Sequence, residues 1–390
     1  MRNFALSRLL ACFALALVSP VQFLPAFAST TRAHPANHPG QLASAEPVTQ
    51  VPPGTQAWRI AYWSTDGAGR PQRLTGMVVA PRGSIPASPR SVIAWTHGTW
   101  GVVEKCGPSL SPNFFSATPA LADMVRRGYV VVAPDYPGLG TSMPHPYLIG
   151  SDTARSVLDS VRAARSISNA AAGSRFAVWG ESQGGHAALW TASQVRGYAP
   201  DLDLVGTAAA APPTDLPANF RAGRDANVQA MLSAFTAYSW SQKFGLPLST
   251  LFNRATQGVV GRLARNNCIT LGSDPKLGTI LGVMAVRNAM KNKDMGRLEP
   301  WAGIARRNSV AASSVPGPVL IAQSVSDPVV GPEVTRQFAR QLCRAGRPVR
   351  WVSIPGGDHA HSARDSAAAT LDWIDARFAR VQPASDCDSI

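Results

Sequence analysis

Short apolar runs alternate with helix-spaced segments along the first half of this chain. The runs are Ser91-Val-Ile-Ala-Trp-Thr96, Tyr129-Val-Val-Val-Ala133, Arg175-Phe-Ala-Val-Trp179 and Leu204-Val-Gly-Thr-Ala-Ala-Ala210, with helical spacing over 154–166 and 183–195. A strand exposed on one face alternates apolar and polar residues; these runs do not, so both their faces need cover. Strand–helix–strand units provide that cover in a parallel sheet with helices on either side. Upstream, Trp58–Trp63 and Leu74–Ala80 flank Asp66-Gly67, a hairpin pattern with a turn longer than two residues. The rhythm breaks over 213–306, where Asn227–Tyr238 and Leu277–Met290 are helix-like and no strand run occurs. It resumes at Pro318–Ala322 and Val349–Ile354, and an amphipathic helix over 363–380 closes the chain. We therefore expect one α/β core, residues 51–212 and 307–390, interrupted by a helical cap over 213–306. A chain of 390 residues, 45% of them hydrophobic, is long and apolar enough for such a core with an insertion.

The N-terminus reads as an export signal over 1–28. Arg2 and Arg8 precede an apolar stretch from Leu9 to Leu24, and Ala26-Phe27-Ala28 offers a small-x-small cleavage site. Pro20, Gln22 and Pro25 make the stretch a poor spanning helix, and no later segment reaches transmembrane length. Leu9-Leu-Ala-Cys12 resembles a lipoprotein box, but almost no apolar run precedes it. Residues 29–50, rich in Ala, Pro, His, Thr and Ser, read as a flexible leader. Signal removal leaves Cys106, Cys268, Cys343 and Cys387, an even count that suggests two disulfides with three possible connectivities. No Cys-x-x-Cys is present, which argues against a zinc site. The formal net charge is +14, yet the basic residues (Arg126, Arg127, Arg262, Arg265, Arg306, Arg307 among them) are scattered, and no nucleic-acid-binding signature accompanies them. A solvated basic surface is the simpler reading.

The chemistry centres on Gly180-Glu-Ser182-Gln-Gly184. Gly-x-Ser-x-Gly alone is a weak signal in a chain this rich in Gly and Ser. Its force comes from context: an apolar strand run precedes it and a helical run follows, so Ser182 sits on a sharp strand-to-helix bend with its hydroxyl exposed. The competing reading is an ordinary glycine-rich turn. A serine hydroxyl needs a histidine to take its proton and a carboxylate to fix that histidine, in the chain order Ser, acid, His. Asp327, in the loop beyond a strand end, fits the acid; the alternative is a turn or capping Asp ahead of a helix from Pro332. His359 and His361 compete for the base, and loop position favours His359. Asp358 reads as a loop residue, and a His-x-His metal site lacks a third ligand nearby. The oxyanion hole is expected from the N–H of Gln183 and the N–H of Thr99, whose hydroxyl is a further donor. His97, His186, Asp135 and Tyr136 read as structural.

Trp95-Thr-His-Gly-Thr99 with Cys106-Gly-Pro-Ser109, Asp135-Tyr-Pro-Gly-Leu-Gly140 with His145-Pro-Tyr147, Gly180–Gly185, Ser326-Asp-Pro-Val-Val330 and Asp375-Ala-Arg-Phe378 together resemble the secretory lipase family of fungi and bacteria, a branch of the α/β-hydrolases. The resemblance runs from about residue 55 to Cys387. It implies ester hydrolysis, often of acylglycerols, a Ser182–Asp327–His359 triad, a helical cap over the acyl pocket, and the pairings Cys106–Cys268 and Cys343–Cys387. Trp100, in the oxyanion loop, is a bulky departure that narrows the acyl or alcohol site.

The chain is thus expected to be a secreted or periplasmic, monomeric serine esterase or lipase acting through an acyl-enzyme, with no metal or organic cofactor. Its partner is an ester or lipid substrate, at a lipid–water interface for a true lipase, and not a nucleic acid. A peptidase or amidase on the same fold and a non-catalytic binding protein are the competing classes. Met231, Leu232, Phe235, Trp240, Phe244, Leu246 and Leu251 suit an acyl pocket, though packing between cap helices explains them more simply.

Overall fold

The computed structural model describes residues 37–269, 275–356 and 358–390. The expected export signal, 1–28, lies outside them. Its strands are β1 (Leu42–Val48), β2 (Thr55–Thr65), β3 (Pro71–Pro81), β4 (Arg90–Thr96), β5 (Val130–Pro134), β6 (Ala172–Glu181), β7 (Asp203–Ala210), β8 (Val319–Ser324) and β9 (Val349–Ile354). They form one sheet in the order β1-β2-β3-β5-β4-β6-β7-β8-β9. The pairs from β1 to β5 are antiparallel, and those from β5 through β4 to β9 are parallel. The hairpin β2–β3 keeps an unbroken register from Thr55↔Pro81 to Thr65↔Pro71. Its turn is held by the Asp66 carboxylate, which accepts the N–H groups of Ala68 and Arg70 at 2.9 and 3.0 Å.

Both faces of the sheet are covered. Val92 and Ala94 of β4 and Val130 and Val132 of β5 pack with Val157, Leu158 and Val161 of the helix Gly150–Ala164. The residues between them, Ile93, Trp95 and Val131, face the opposite way and pack with Leu121, Met124, Leu371 and Ile374. The period of two along each strand makes this division. The closing helix is two segments, Ser362–Asp365 and Ala367–Phe378, and not one. At the junction the Ser366 hydroxyl donates to the Ser362 carbonyl at 2.7 Å.

The flexible leader expected over 29–50 is corrected by β1. Leu42–Val48 pairs along the edge of β2, from Leu42↔Tyr62 to Val48↔Ala57. An edge strand satisfies one row of backbone groups and buries little, so small residues and Pro47 suffice.

Between β7 and β8 the described residues form the helices Leu216–Ala222, Ala226–Phe244, Arg254–Asn266, Leu277–Met290 and Trp301–Asn308, with no strand among them. The last crosses the boundary expected at 306. Asp225 and Asn253 cap two of these helices through first-turn N–H groups. Phe235, Trp240, Phe252, Val286 and Trp301 form their common core, and Tyr147 and Leu148 enter it from the loop after β5. Disulfides join Cys106 to Cys268 and Cys343 to Cys387. The first ties the loop after β4 to the cap, beside a hydrogen bond from Ile269 N–H to the Trp100 carbonyl at 2.8 Å. Among the described residues no helix is long and apolar enough to cross a membrane.

Candidate active site

β6 ends at Glu181 and the next helix, Gln183–Tyr198, begins two residues later. Ser182 lies between them with φ +54° and ψ −120°, a backbone region that a residue with a side chain rarely occupies. Close packing at the bend explains the glycines. A Cβ on Gly180 would strike the Thr96 hydroxyl, and one on Gly184 would strike the Thr96 carbonyl. The same Thr96 hydroxyl donates to the Gly184 carbonyl at 2.8 Å, pinning the elbow to the end of β4.

The loops after β8 and β9 bring a carboxylate and an imidazole to this serine. His359 Nε2 lies 2.7 Å from Ser182 Oγ, and His359 Nδ1 lies 2.8 Å from Asp327 Oδ2. Asp327 is buried, and its other oxygen accepts the N–H groups of Val329 and Val330 at 2.8 and 2.9 Å. Asp327 therefore also organises its turn, as the competing reading of the sequence had it. Burial pushes the Asp327 carboxyl upward; the His359 hydrogen bond and charge, with the two N–H donors, outweigh this and hold it below its usual value. An ionised Asp327 requires the proton on Nδ1, which leaves Nε2 free to accept the Ser182 proton.

His361 is engaged elsewhere: its Nδ1 lies 2.8 and 2.9 Å from the Asp358 carboxylate oxygens. Asp358 also accepts the His361 N–H and so caps the loop. Among the described residues no group of three or more His, Cys, Asp or Glu is placed to hold a metal ion.

Gln183 is the first residue of the helix after Ser182, where N–H groups have no carbonyl ahead of them within the helix. Thr99 follows β4 and lines the cavity that contains Ser182 and His359, which has a volume of about 790 Å³. The Thr99 hydroxyl is 2.8 Å from the Tyr147 hydroxyl. Trp100 also lines the cavity, as do Met231 and Leu232 of the cap. Phe235, Trp240 and Leu251 are buried in the cap core, and Phe244 stands 42% exposed.

Two further layers were not legible in the sequence. His145 Nδ1 donates to the Pro137 carbonyl at 2.7 Å, so its Nε2 accepts the Gln183 side-chain amide at 3.2 Å. Burial pushes His145 down to about 4 and His97 down to about 3, so both stay neutral at pH 7. The cap grips the same loop: Trp240 Nε1 donates to the Tyr147 carbonyl and the Ser239 hydroxyl accepts the Tyr147 N–H, at 2.8 and 2.9 Å. Glu181 is the second layer. Its carboxylate accepts the Ala363 N–H at 2.7 Å, joining the elbow to the segment after His359. Removal from water pushes Glu181 up to about 7, against the lowering pull of that N–H and of His359 and His361. His186, read from the sequence as structural, is buried and bonds the Asn308 carbonyl at 2.7 Å.

Sheet order, elbow and cap define a protein of the α/β-hydrolase fold. Candida antarctica lipase A in its closed state superposes with a TM-score of 0.72 at 18% identity, over 90% of this chain and 85% of that one. The secretory lipase family model matches residues 117–243, a stretch that includes Ser182 and ends before Asp327. Lipase 9 of Candida albicans is 25% identical over 86% of this chain and 76% of its own length. A probable inactive lipase of Mycobacterium tuberculosis is 24% identical over 84% of this chain and 75% of its own. The chain is accordingly an α/β-hydrolase-fold protein similar to the secretory lipases.

Proposed function

We propose that the protein is an exported serine esterase that cleaves carboxylic esters through Ser182, His359 and Asp327. One observation carries this reading: the unbroken chain Ser182 Oγ–His359 Nε2 and His359 Nδ1–Asp327 Oδ2, at 2.7 and 2.8 Å, opening on a cavity lined in part by apolar side chains. Ser182 Oγ attacks the ester carbonyl as its proton passes to His359 Nε2. The N–H groups of Gln183 and Thr99 receive the oxyanion. The imidazolium protonates the leaving alkoxide, and water, deprotonated by the same imidazole, releases the acid. Export rests on the sequence of 1–28 and agrees with two disulfides, which persist in oxidising compartments.

Met231, Leu232 and Trp100 on the cavity wall favour an acyl chain as the buried half of the substrate. The test is hydrolysis of nitrophenyl esters from short to long acyl chains, below and above their solubility, beside matching peptide amides. The expected result is turnover of esters alone. Faster turnover of the amides would make the protein a peptidase or amidase, and no turnover of either would favour a binding protein on this fold.

A further inference from the structure

Among the described residues, a group of strongly exposed large apolar side chains falls on one cap helix, Leu277–Met290. Leu277, Ile280, Leu281 and Met284 are 71%, 43%, 57% and 50% exposed. Their spacing, i, i+3, i+4 and i+7, puts them in one stripe. The opposite side of the helix is committed to the cap: Gly282 and Val286 are buried, and Gly282 lies against Leu263 of the neighbouring helix. The helix thus stands pre-formed, with one apolar face in the core and another in water. Such a contiguous exposed face is uncommon on a protein that meets only solvent.

The stripe does not end in neutral surface. One turn on, the same face carries Arg287, Asn288 and Lys291, all exposed, and Lys276 flanks its start. Among the described residues Arg287 makes one long bond, to the Asn227 side chain at 3.3 Å, and no ion pair. The helix contains no acidic residue. Residues 254–293 hold seven Lys and Arg against the single Asp274, a net +6 of the whole chain's +14. Six of the fourteen net positive charges thus fall within this one stretch of the cap.

We propose that this helix face is a docking surface for an anionic lipid–water interface. The apolar stripe enters the acyl boundary, and Lys276, Arg287 and Lys291 remain among negatively charged headgroups. Apolar residues on one face with cations beside them suit a helix lying in the plane of such a surface. The cap fixes the helix beforehand, so docking carries no cost of ordering it. A second copy of this chain fits less well, because two faces of the same positive sign would repel. Docking needs no hydrolysis and therefore stands or falls independently of the esterase reading.

The test is co-sedimentation with ether-linked vesicles, which an esterase does not cleave. One set is phosphatidylcholine alone; the other contains phosphatidylglycerol. The wild-type protein is expected to pellet with the anionic vesicles and to be released as salt is raised. Leu281→Asp with Met284→Asp should weaken binding about tenfold or more. Arg287→Glu with Lys291→Glu should remove the preference for phosphatidylglycerol. Thermal melts establish that each variant is folded, and each pair of substitutions serves as a second route to the answer if the other fails to fold. Equal binding to both vesicle types, equal binding by folded variants and wild type, or a dimer broken by the same substitutions would overturn the proposal.

Discussion

Ser182 is held at φ +54° by its surroundings, with Thr96 on one side of the bend and the first turn of a helix on the other. That strain presents the hydroxyl to His359 and leaves the Gln183 N–H beside it. The Asp327 carboxylate fixes the imidazole tautomer, so Asp327→Asn should lower kcat by about 10⁴, the magnitude known for the corresponding change in serine proteases, with little change in KM. His361→Gln, which loses the ring's contact with Asp358 and leaves His359 and Asp327 paired, should keep kcat within about twofold. Steady-state kinetics on one soluble ester checks both. Thr99→Val removes the hydroxyl held by Tyr147 but keeps the backbone donor. Its kcat should fall by less than the ~10²–10³ measured when a sole side-chain donor is deleted from an oxyanion hole. Glu181 belongs to this scale too. Its carboxyl sits at about 7 against a usual 4.5, so the fold favours the protonated form. The unfolded chain then releases its proton first. The stability this group contributes is whole below about pH 4.5 and is lost as pH rises through about 7. Glu181→Gln should flatten the decline in Tm between those values and melt above wild type at pH 8.

The elements differ in how plainly the sequence announced them. β4 to β8 were readable because a strand covered on both faces is a largely apolar run, and β5 is buried at every position. β1 was not, since an edge strand of Leu, Ala, Ser, Glu, Pro and Val has the composition of a loop. The helices Arg254–Asn266 and Trp301–Asn308 were missed because their apolar faces are short and interrupted by arginine. Of the site, the elbow, Asp327 and His359 were legible as motifs with local context. Tyr147 behind Thr99 and His145 behind Gln183 were not, because they meet their partners across 48 and 38 residues through loop geometry alone. The elbow makes its own prediction. Gly184→Ala places a methyl group on the Thr96 carbonyl, and the packed bend has nowhere to move. Chemical denaturation should show a loss of about 1–3 kcal/mol or more, with activity falling alongside.

At the scale of the molecule, the sheet carries Ser182, Asp327 and His359, the proposed reacting groups, beyond the C-terminal ends of β6, β8 and β9, and cap residues line the cavity with Ser182 and His359. The two are joined at the oxyanion loop by the Cys106–Cys268 bond and at His145–Tyr147 by Ser239 and Trp240. Cap and proposed oxyanion hole are therefore parts of one assembly. Replacing Cys343 and Cys387 by Ser removes the covalent tie between the C-terminal tail and the helix Pro332–Arg344 and should cost ~2–4 kcal/mol in urea denaturation, leaving Ser182, Asp327 and His359 in place. All of this presumes that Ser182 becomes the acyl carrier. The direct measurement is peptide mapping by mass spectrometry after exposure to a fluorophosphonate. The account predicts a single adduct on the peptide that contains Ser182, formed far more slowly in His359→Ala. An adduct on another residue, or undiminished ester hydrolysis by Ser182→Ala, would contradict it.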